Sequence, residues 1–283
     1  MDGILIINKP KNVTSRDVVN DVCKILNTKK VGHTGTLDPI ATGVLVLCVG
    51  KATKLVSYLT CSEKEYIATV KLGILTDTLD TDGEILKKKT VKIDKESLIY
   101  TLNSFVGFYD QEVPSYSAIK VNGKKLYEYA RKKQQVTLPK RRVEIKSIEL
   151  LAMNKDSYKF RVVVSKGTYI RSLIRDINDK LGIIGVMSDL QRTRQGDFKI
   201  NESYNLEEIK NNNYRLLKIK DVLKNELCVI IDDADFCVIK NGSIVDKKYD
   251  SDKVVFIYDG RVIAIYKTYE KDNTKMKPYK MFI

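Results

Sequence analysis

The chain has no tryptophan, one histidine (His33), five prolines and five cysteines among 283 residues. Each scarcity excludes something. One histidine, with cysteines at 23, 48, 61, 228 and 237 that form no C-x-x-C pair, leaves too few ligands for a zinc site. An odd number of scattered thiols reads as reduced cysteine, mostly small core residues, in a cytosolic setting. No apolar run approaches the ~20 residues of a membrane-spanning helix. The apolar opening at 3–8, GILIIN, is too short for a secretion signal and no cleavage site follows. A soluble, cytoplasmic protein is the expectation. There is no long internal repeat and no low-complexity segment.

Acidic residues are the minority charge, 36 against 50 basic, for a net +14. A surface of that sign suits a polyanionic partner. The excess is mainly lysine, a bias that genome base composition also produces, so charge alone favours nucleic acid only modestly. At this length one large domain with one small one is the natural division.

What is present concentrates at 31–55, VGHTGTLDPIATGVLVLCVGKATKL. One carboxylate, Asp38, sits in a loop with Gly32, Gly35, Gly43 and Pro39. The apolar run 44–49 follows at once and reads as a buried strand. An Asp before Pro commonly just starts a turn. Here the loop also carries His33, Thr34, Thr36 and Thr42, which a plain turn does not need. It holds no second carboxylate, so paired-acid glycosidase chemistry is closed to it. A lone carboxylate in a partly apolar site can still be a nucleophile or an electrostatic stabiliser. Gly50-Lys51 imitates the tail of a phosphate-binding loop, but Leu45 stands where the first glycine belongs and Ala52 where Ser or Thr belongs. A nucleotide triphosphatase is therefore rejected.

The contiguous run GHTGTLDPIATGVL resembles the signature of the TruB family of pseudouridine synthases, whose Asp at this place is catalytic. The resemblance continues in order. Residues 3–8 read as a strand, Lys9-Pro10 as its end, and Thr14 or Ser15 as the cap of a helix with Val18, Val19, Val22, Ile25 and Leu26 at helical spacing. This matches the family's first motif, in which the residue at Lys9 supports the site's architecture; by itself Lys9 is a surface lysine before a turn. Residues 52–59 look helical. Residues 65–72 alternate Tyr66, Ala68, Val70 and Leu72 on one face, a strand. The family has a tyrosine at Tyr66 that lies against the target base; periodicity alone makes it core. LTDTLDTDGE at 75–84 fails as a calcium loop, with Thr78 first and Lys89 twelfth. It matches the family's TDTxDxxG at the cleft edge. Lys87, Lys88 and Lys89 after it stand to meet phosphate or simply to be solvated.

A helix is expected at 97–106 with Leu98, Ile99, Leu102, Phe105 and Val106 inward. Residues 113–132, VPSYSAIKVNGKKLYEYARK, read as strand, Asn-Gly turn and helix. Bases and aromatics interleave there (Tyr116, Lys120, Lys124, Lys125, Tyr127, Tyr129, Arg131), a mixture that suits RNA, although the tyrosines also suit packing. A hairpin is expected across 143–153 and 157–165. It leads to a helix capped by Thr168, with Ile170, Leu173, Ile174, Ile177 and Leu181 on its apolar face and Gly182 as its stop. KGTYIR in this stretch is another family motif: Arg171 would pair with the catalytic Asp and Tyr169 would line the base pocket. Without the resemblance Arg171 pairs with Asp176 or another neighbour. In MSDLQRTRQGDF (187–198), Leu190 would sit against the uracil and Arg192 would face backbone or phosphate; Gln191 replaces one of two arginines common in the family.

Residues 202–223 read as a linker with helical pieces. Short strands follow at 227–231, 254–258 and 261–266, with a helix near 234–242 and an Asp259-Gly260 turn. The expected class is α+β: a pseudouridine synthase fold at 1–222, with a mixed, mainly antiparallel sheet flanked by helices, and a small β-rich, PUA-like RNA-binding module at 223–283. The resemblance implies isomerisation of uridine 55 in the T loop of tRNA by a monomer, without metal, redox change or organic cofactor, and without a protein partner or membrane. The base would be flipped out. His33 would fill the gap it leaves, Asp38 would break and remake the glycosidic bond, Tyr66, Tyr169 and Leu190 would hold the uracil, and Arg171 would order Asp38. The alternative is an RNA-folding module that clamps T loops with catalysis secondary. A guide-RNA-dependent relative ranks below both, because no long basic tail or extra insert is present.

Overall fold

The computed structural model describes residues 1–283, and no helix in it is long and apolar enough to cross a membrane. The main sheet runs, in spatial order, Gly3–Lys9, Thr42–Val49, Gly185–Gln195, Lys64–Leu72, Ser157–Val164, Lys140–Met153 and Gly107–Glu112. All of these pairings are antiparallel except the seam between Thr42–Val49 and Gly185–Gln195, where Gln191 faces Thr42 and Arg192 faces Gly43. That seam is tight. Gly43 has φ +97°, and a Cβ there would lie 2.3 Å from the Arg192 carbonyl oxygen, so only glycine fits.

Side-chain alternation explains why the first two strands read as continuous apolar runs. Ile4, Ile6, Val44, Val46 and Cys48 point to one core, and Leu5, Ile7, Leu45, Leu47 and Val49 to another. Both faces are covered, so neither carries polar residues in alternation. The second core is closed by Val18, Val19 and Val22 of the Ser15–Ile25 helix. Thr14 caps that helix, and its hydroxyl and the Asp17 carboxylate form a capping box. Over the antiparallel half of the sheet, Leu98 and Leu102 of Lys95–Asn103 and Leu173, Ile174 and Ile177 of Ile170–Lys180 pack on Tyr158, Phe160, Val162 and Val164.

A second sheet holds Leu227–Ile230, Lys253–Tyr258, Arg261–Tyr269, Asp272–Met281 and Val245–Asp246 in that spatial order. Its Val255, Ile257, Val262, Ile265 and Phe282 share one core with Ile4, Ile6, Val44 and Val46. The segment between the sheets is packed as well. Leu217 exchanges main-chain bonds with Ile4, Tyr204 accepts from Asn8, and Ile209 and Leu223 are buried.

Several local expectations are corrected. The helix expected at 97–106 is Lys95–Asn103, started by the Asp94 cap; Ile99 and Val106 are 38% and 49% exposed. Residues 50–55 form a 3-10 turn before the short helix Val56–Leu59. Asp272–Met281 is a strand whose three lysines and one proline hid it, because this face of the sheet is half exposed. Thr168 does not cap the Ile170–Lys180 helix: its hydroxyl donates to the Ser165 carbonyl. The cap position is Tyr169, which has no side-chain cap bond. Instead the buried Gln111 accepts from the Tyr169 N–H at 2.7 Å and donates to its carbonyl at 3.1 Å.

Candidate active site

The Asp38 loop is held from behind by the N-terminal strand and helix. Ser15 bonds both ways with Leu37: its hydroxyl accepts from the Leu37 N–H at 2.8 Å and donates to the Leu37 carbonyl at 3.1 Å. The Pro39 carbonyl accepts from the Asn12 N–H at 2.8 Å and from Lys9 Nζ at 3.2 Å. Leu37, Ile40 and Ala41 are buried, so the loop is nailed down on both sides of an Asp38 side chain that stays 34% exposed. The buried Arg192 ties the loop's two ends, donating to the Gly35 carbonyl at 3.0 Å and the Val44 carbonyl at 2.6 Å. It meets protein main chain, one of the two roles open to it from sequence.

Arg171 lies in the first turn of its helix with its side chain 6% exposed. Nε donates to Asp38 Oδ2 at 2.9 Å and Nη2 to Oδ1 at 3.1 Å, a two-point clasp across 133 residues of sequence. Its remaining hydrogen bonds go to the Thr78 carbonyl at 2.9 Å and the Tyr116 carbonyl at 3.0 Å. One guanidinium therefore joins three loops. Asp176, the alternative partner, pairs with Arg175.

Tyr66 and Leu190 are buried in the same core cluster as Leu37, Ile40, Ala41 and Ile170, on adjacent strands, where Leu190 faces Ala68 and Arg192 faces Tyr66. The Gly185–Gln195 strand has register shifts on either side of this stretch, at 187/189 and 192/194, the bulges by which a strand changes which way its side chains face. Tyr169 is half-buried. Burial raises its phenol pKa, with Arg141, Ser117, Arg171 and Asp38 close enough to contribute. Arg171 and Tyr169 thus lie close to Asp38, and Tyr66 and Leu190 share a core cluster with Leu37 and Ile40, which flank it in the loop. His33 ends the short strand Val31–His33 and makes no hydrogen bond to Asp38. Burial, then Arg16 and Arg192, lowers its pKa, so the ring is neutral at pH 7, and its buried Nδ1 has no partner.

Sequence reasoning missed Asp80. It is buried, its Oδ2 lies 3.9 Å from Arg171 Nε, and its Oδ1 accepts from the Thr78 hydroxyl and the Asp82 N–H. Burial raises its pKa against the pull of Thr78 and Arg171. Asp38 is therefore not a solitary acid: one arginine serves two carboxylates. The polar run at 75–84 was the available signal, but nothing in its spacing says which of its acids turns inward. Gln111 and the carbonyls of Thr78 and Tyr116 carried no signal at all.

Lys9 is fully buried and its ammonium serves three carbonyls, of Pro10, Val13 and Pro39. Burial lowers its pKa from 10.5 to about 8, against the opposing pull of Asp38. The unfolded chain thus holds this proton more tightly than the folded protein does. The group's contribution to stability is least below pH 8 and grows as pH rises towards 10.5. Activity is expected to move the other way, because a neutral amine loosens its hold on the Pro39 carbonyl. A pH–rate profile should show kcat falling above pH 8, while Lys9→Met is slow and flat over the same range. A wild-type rate that stays level to pH 9.5 would refute this.

Comparison with known proteins places the chain among the pseudouridine synthases, isomerases that move uracil from a nitrogen to a carbon link on ribose. The chain is similar to a chain of a solved Cbf5–Nop10–Gar1 complex (TM-score 0.73, 26% identity, 99% of this chain and 85% of that one). It is similar also to one in an H/ACA ribonucleoprotein bound to a substrate RNA containing 2′-deoxyuridine (TM-score 0.72, 25% identity, 99% and 85%). The model of the N-terminal domain of TruB family pseudouridylate synthases matches residues 23–170, and that of the tRNA pseudouridylate synthase B C-terminal domain matches residues 171–235. Among curated relatives, tRNA pseudouridine synthase B of Clostridium tetani is 44% identical over 257 residues, 90% of this chain and 89% of its own. The enzyme of the same name from Bacillus cytotoxicus is 38% identical over 300 residues, 100% and 98%. The chain belongs to the TruB family of pseudouridine synthases.

Proposed function

We propose that this protein isomerises uridine 55 in the T loop of tRNA, acting as a single chain in the cytoplasm, with Asp38 as its catalytic residue. The observation that carries the reading is the two-point clasp of Arg171 on Asp38, beside Tyr66, Tyr169 and Leu190. A flipped uridine meets Asp38 at its ribose–base bond, at an unstacking cost of a few kcal/mol, roughly. The carboxylate supports departure of N1 from C1′, by bonding to the nucleotide or by stabilising the ribose cation. Tyr66, Tyr169 and Leu190 keep the freed uracil in place while it turns and joins C1′ through C5. The C5 proton then passes to solvent, Tyr169 assisting, and N1 takes up a proton in its place, so the product is an isomer. His33 fills the gap left in the RNA, and Lys9 supports the loop. Residues 1–222 carry the chemistry, and residues 223–283 form the small PUA-like part that grips RNA.

The relatives named tRNA pseudouridine synthase B favour transfer RNA as the substrate, at identities well above those of the H/ACA proteins. The test uses an isolated T-arm minihelix with no guide RNA or second protein, read by pseudouridine mapping. Conversion at position 55 alone is expected, with none when cytidine occupies it. Conversion at another position, or none until a guide is added, would overturn the proposal.

A further inference from the structure

A basic site lies apart from the Asp38 loop, where the Lys64–Leu72 strand hands over to the hairpin Ile74–Thr76/Ile85–Lys88. A cavity of about 1080 Å³ opens there between residues 88–95 and the turn at 153–156. Leu72, Val91, Ile93 and Met153 contribute its apolar wall, and Lys88, Lys89, Lys92, Lys95 and Lys155 surround it. Asp156 is the only carboxylate in the lining. Asp94, beside it in sequence, is committed to the Ser97 N–H as a helix cap. None of the five lysines makes a salt bridge or a side-chain hydrogen bond to the protein. All five are exposed, with apolar surface beneath on which their stems can lie.

Five unpaired cations around one hollow repel each other, and a row of phosphates is the partner that relieves them. The hollow is also near the chemistry. Gly73 lines it, and Thr78, whose carbonyl holds Arg171, is five residues on, at most about 17 Å along an extended strand. We infer that this groove binds backbone phosphates of the substrate RNA flanking the nucleotide in the cleft. The inference rests on the proposed function for the identity of that RNA. It adds a contact that shares no residue with Asp38, Tyr66, Tyr169, Arg171 or Leu190.

The test removes three charges from the intact chain with Lys88→Gln, Lys89→Gln and Lys92→Gln. Full-length tRNA transcript is the probe, with Kd measured across salt concentrations alongside steady-state kinetics. Each lost phosphate contact lowers the slope of log K against log salt by somewhat under one, so the slope should flatten by about two. Kd and KM should rise about tenfold near 0.1 M salt, with the loss in KM rather than in kcat. A control of equal charge change, Lys24→Gln, Lys29→Gln and Lys210→Gln, takes its three charges from the Ser15–Ile25 helix and its neighbours and should change Kd less than about twofold. Unchanged affinity and slope in the groove variant, or equal weakening in both variants, would overturn the inference. A wild-type protein that binds tRNA but forms no pseudouridine would refute the proposed function and leave the comparison of slopes intact.

Discussion

Asp38→Asn is expected to lower turnover by roughly 10⁴-fold or more while tRNA binding stays within a few-fold of wild type. The two effects separate because of how the loop is held. Its position depends on main-chain bonds at Leu37 and Pro39 and on burial of Leu37, Ile40 and Ala41, none of which uses a carboxylate oxygen as a partner. Asn keeps the size and an acceptor oxygen for Arg171. It loses the negative charge and with it the carboxylate's reactivity. Arg171 retains Asp80, Thr78 and Tyr116, so the three loops stay joined. Single-turnover pseudouridine formation and filter binding on the same tRNA measure the two quantities. Wild-type turnover in the variant would end the assignment of Asp38. Equal loss of binding and turnover would mean that the carboxylate builds the RNA site rather than acting on the nucleotide.

Arg171→Lys is expected to lower kcat by roughly 10²- to 10³-fold and to cost about 2–4 kcal/mol of folding stability, although the charge is kept. The guanidinium reaches both Asp38 oxygens and two carbonyls at once, from three nitrogens held in a plane. An ammonium is a single point with three donors. It cannot meet Asp38 at two points and also span the Thr78 and Tyr116 carbonyls, and at least one buried acceptor is left without its donor. Asp38 then turns freely at a site where orientation matters. Urea unfolding gives the stability change, and single-turnover kinetics give the rate. A lysine variant with wild-type kcat would show that charge, not the planar clasp, is what Asp38 requires.

The legible parts of the chain are those where one short stretch sets its own geometry. The two-sided burial of Gly3–Lys9 and Thr42–Val49 shows as unbroken apolar sequence. The Ser15–Ile25 helix shows as a cap followed by a 3.6-residue period. The motifs around Asp38, Tyr66, Arg171 and Leu190 are contiguous enough to be recognised one by one. Expectations failed where a distant residue supplied the missing partner. Thr168 looked like a cap, but Gln111, 58 residues away, serves the Tyr169 N–H. Ile99 and Val106 fit an apolar stripe, yet the helix ends at Asn103 and both are solvent-exposed.

By itself the sequence determined the α+β class and the family, because strand period, caps and motif order are local properties of the chain. Only the tertiary structure decided that Asp80 shares the arginine of Asp38, that Lys9 is buried beneath the Asp38 loop, and that the two sheets have a common core. The physical reason is that a buried charge is settled by whichever donors and acceptors folding brings within about 3 Å, and residues far apart in sequence leave no periodic trace of that meeting.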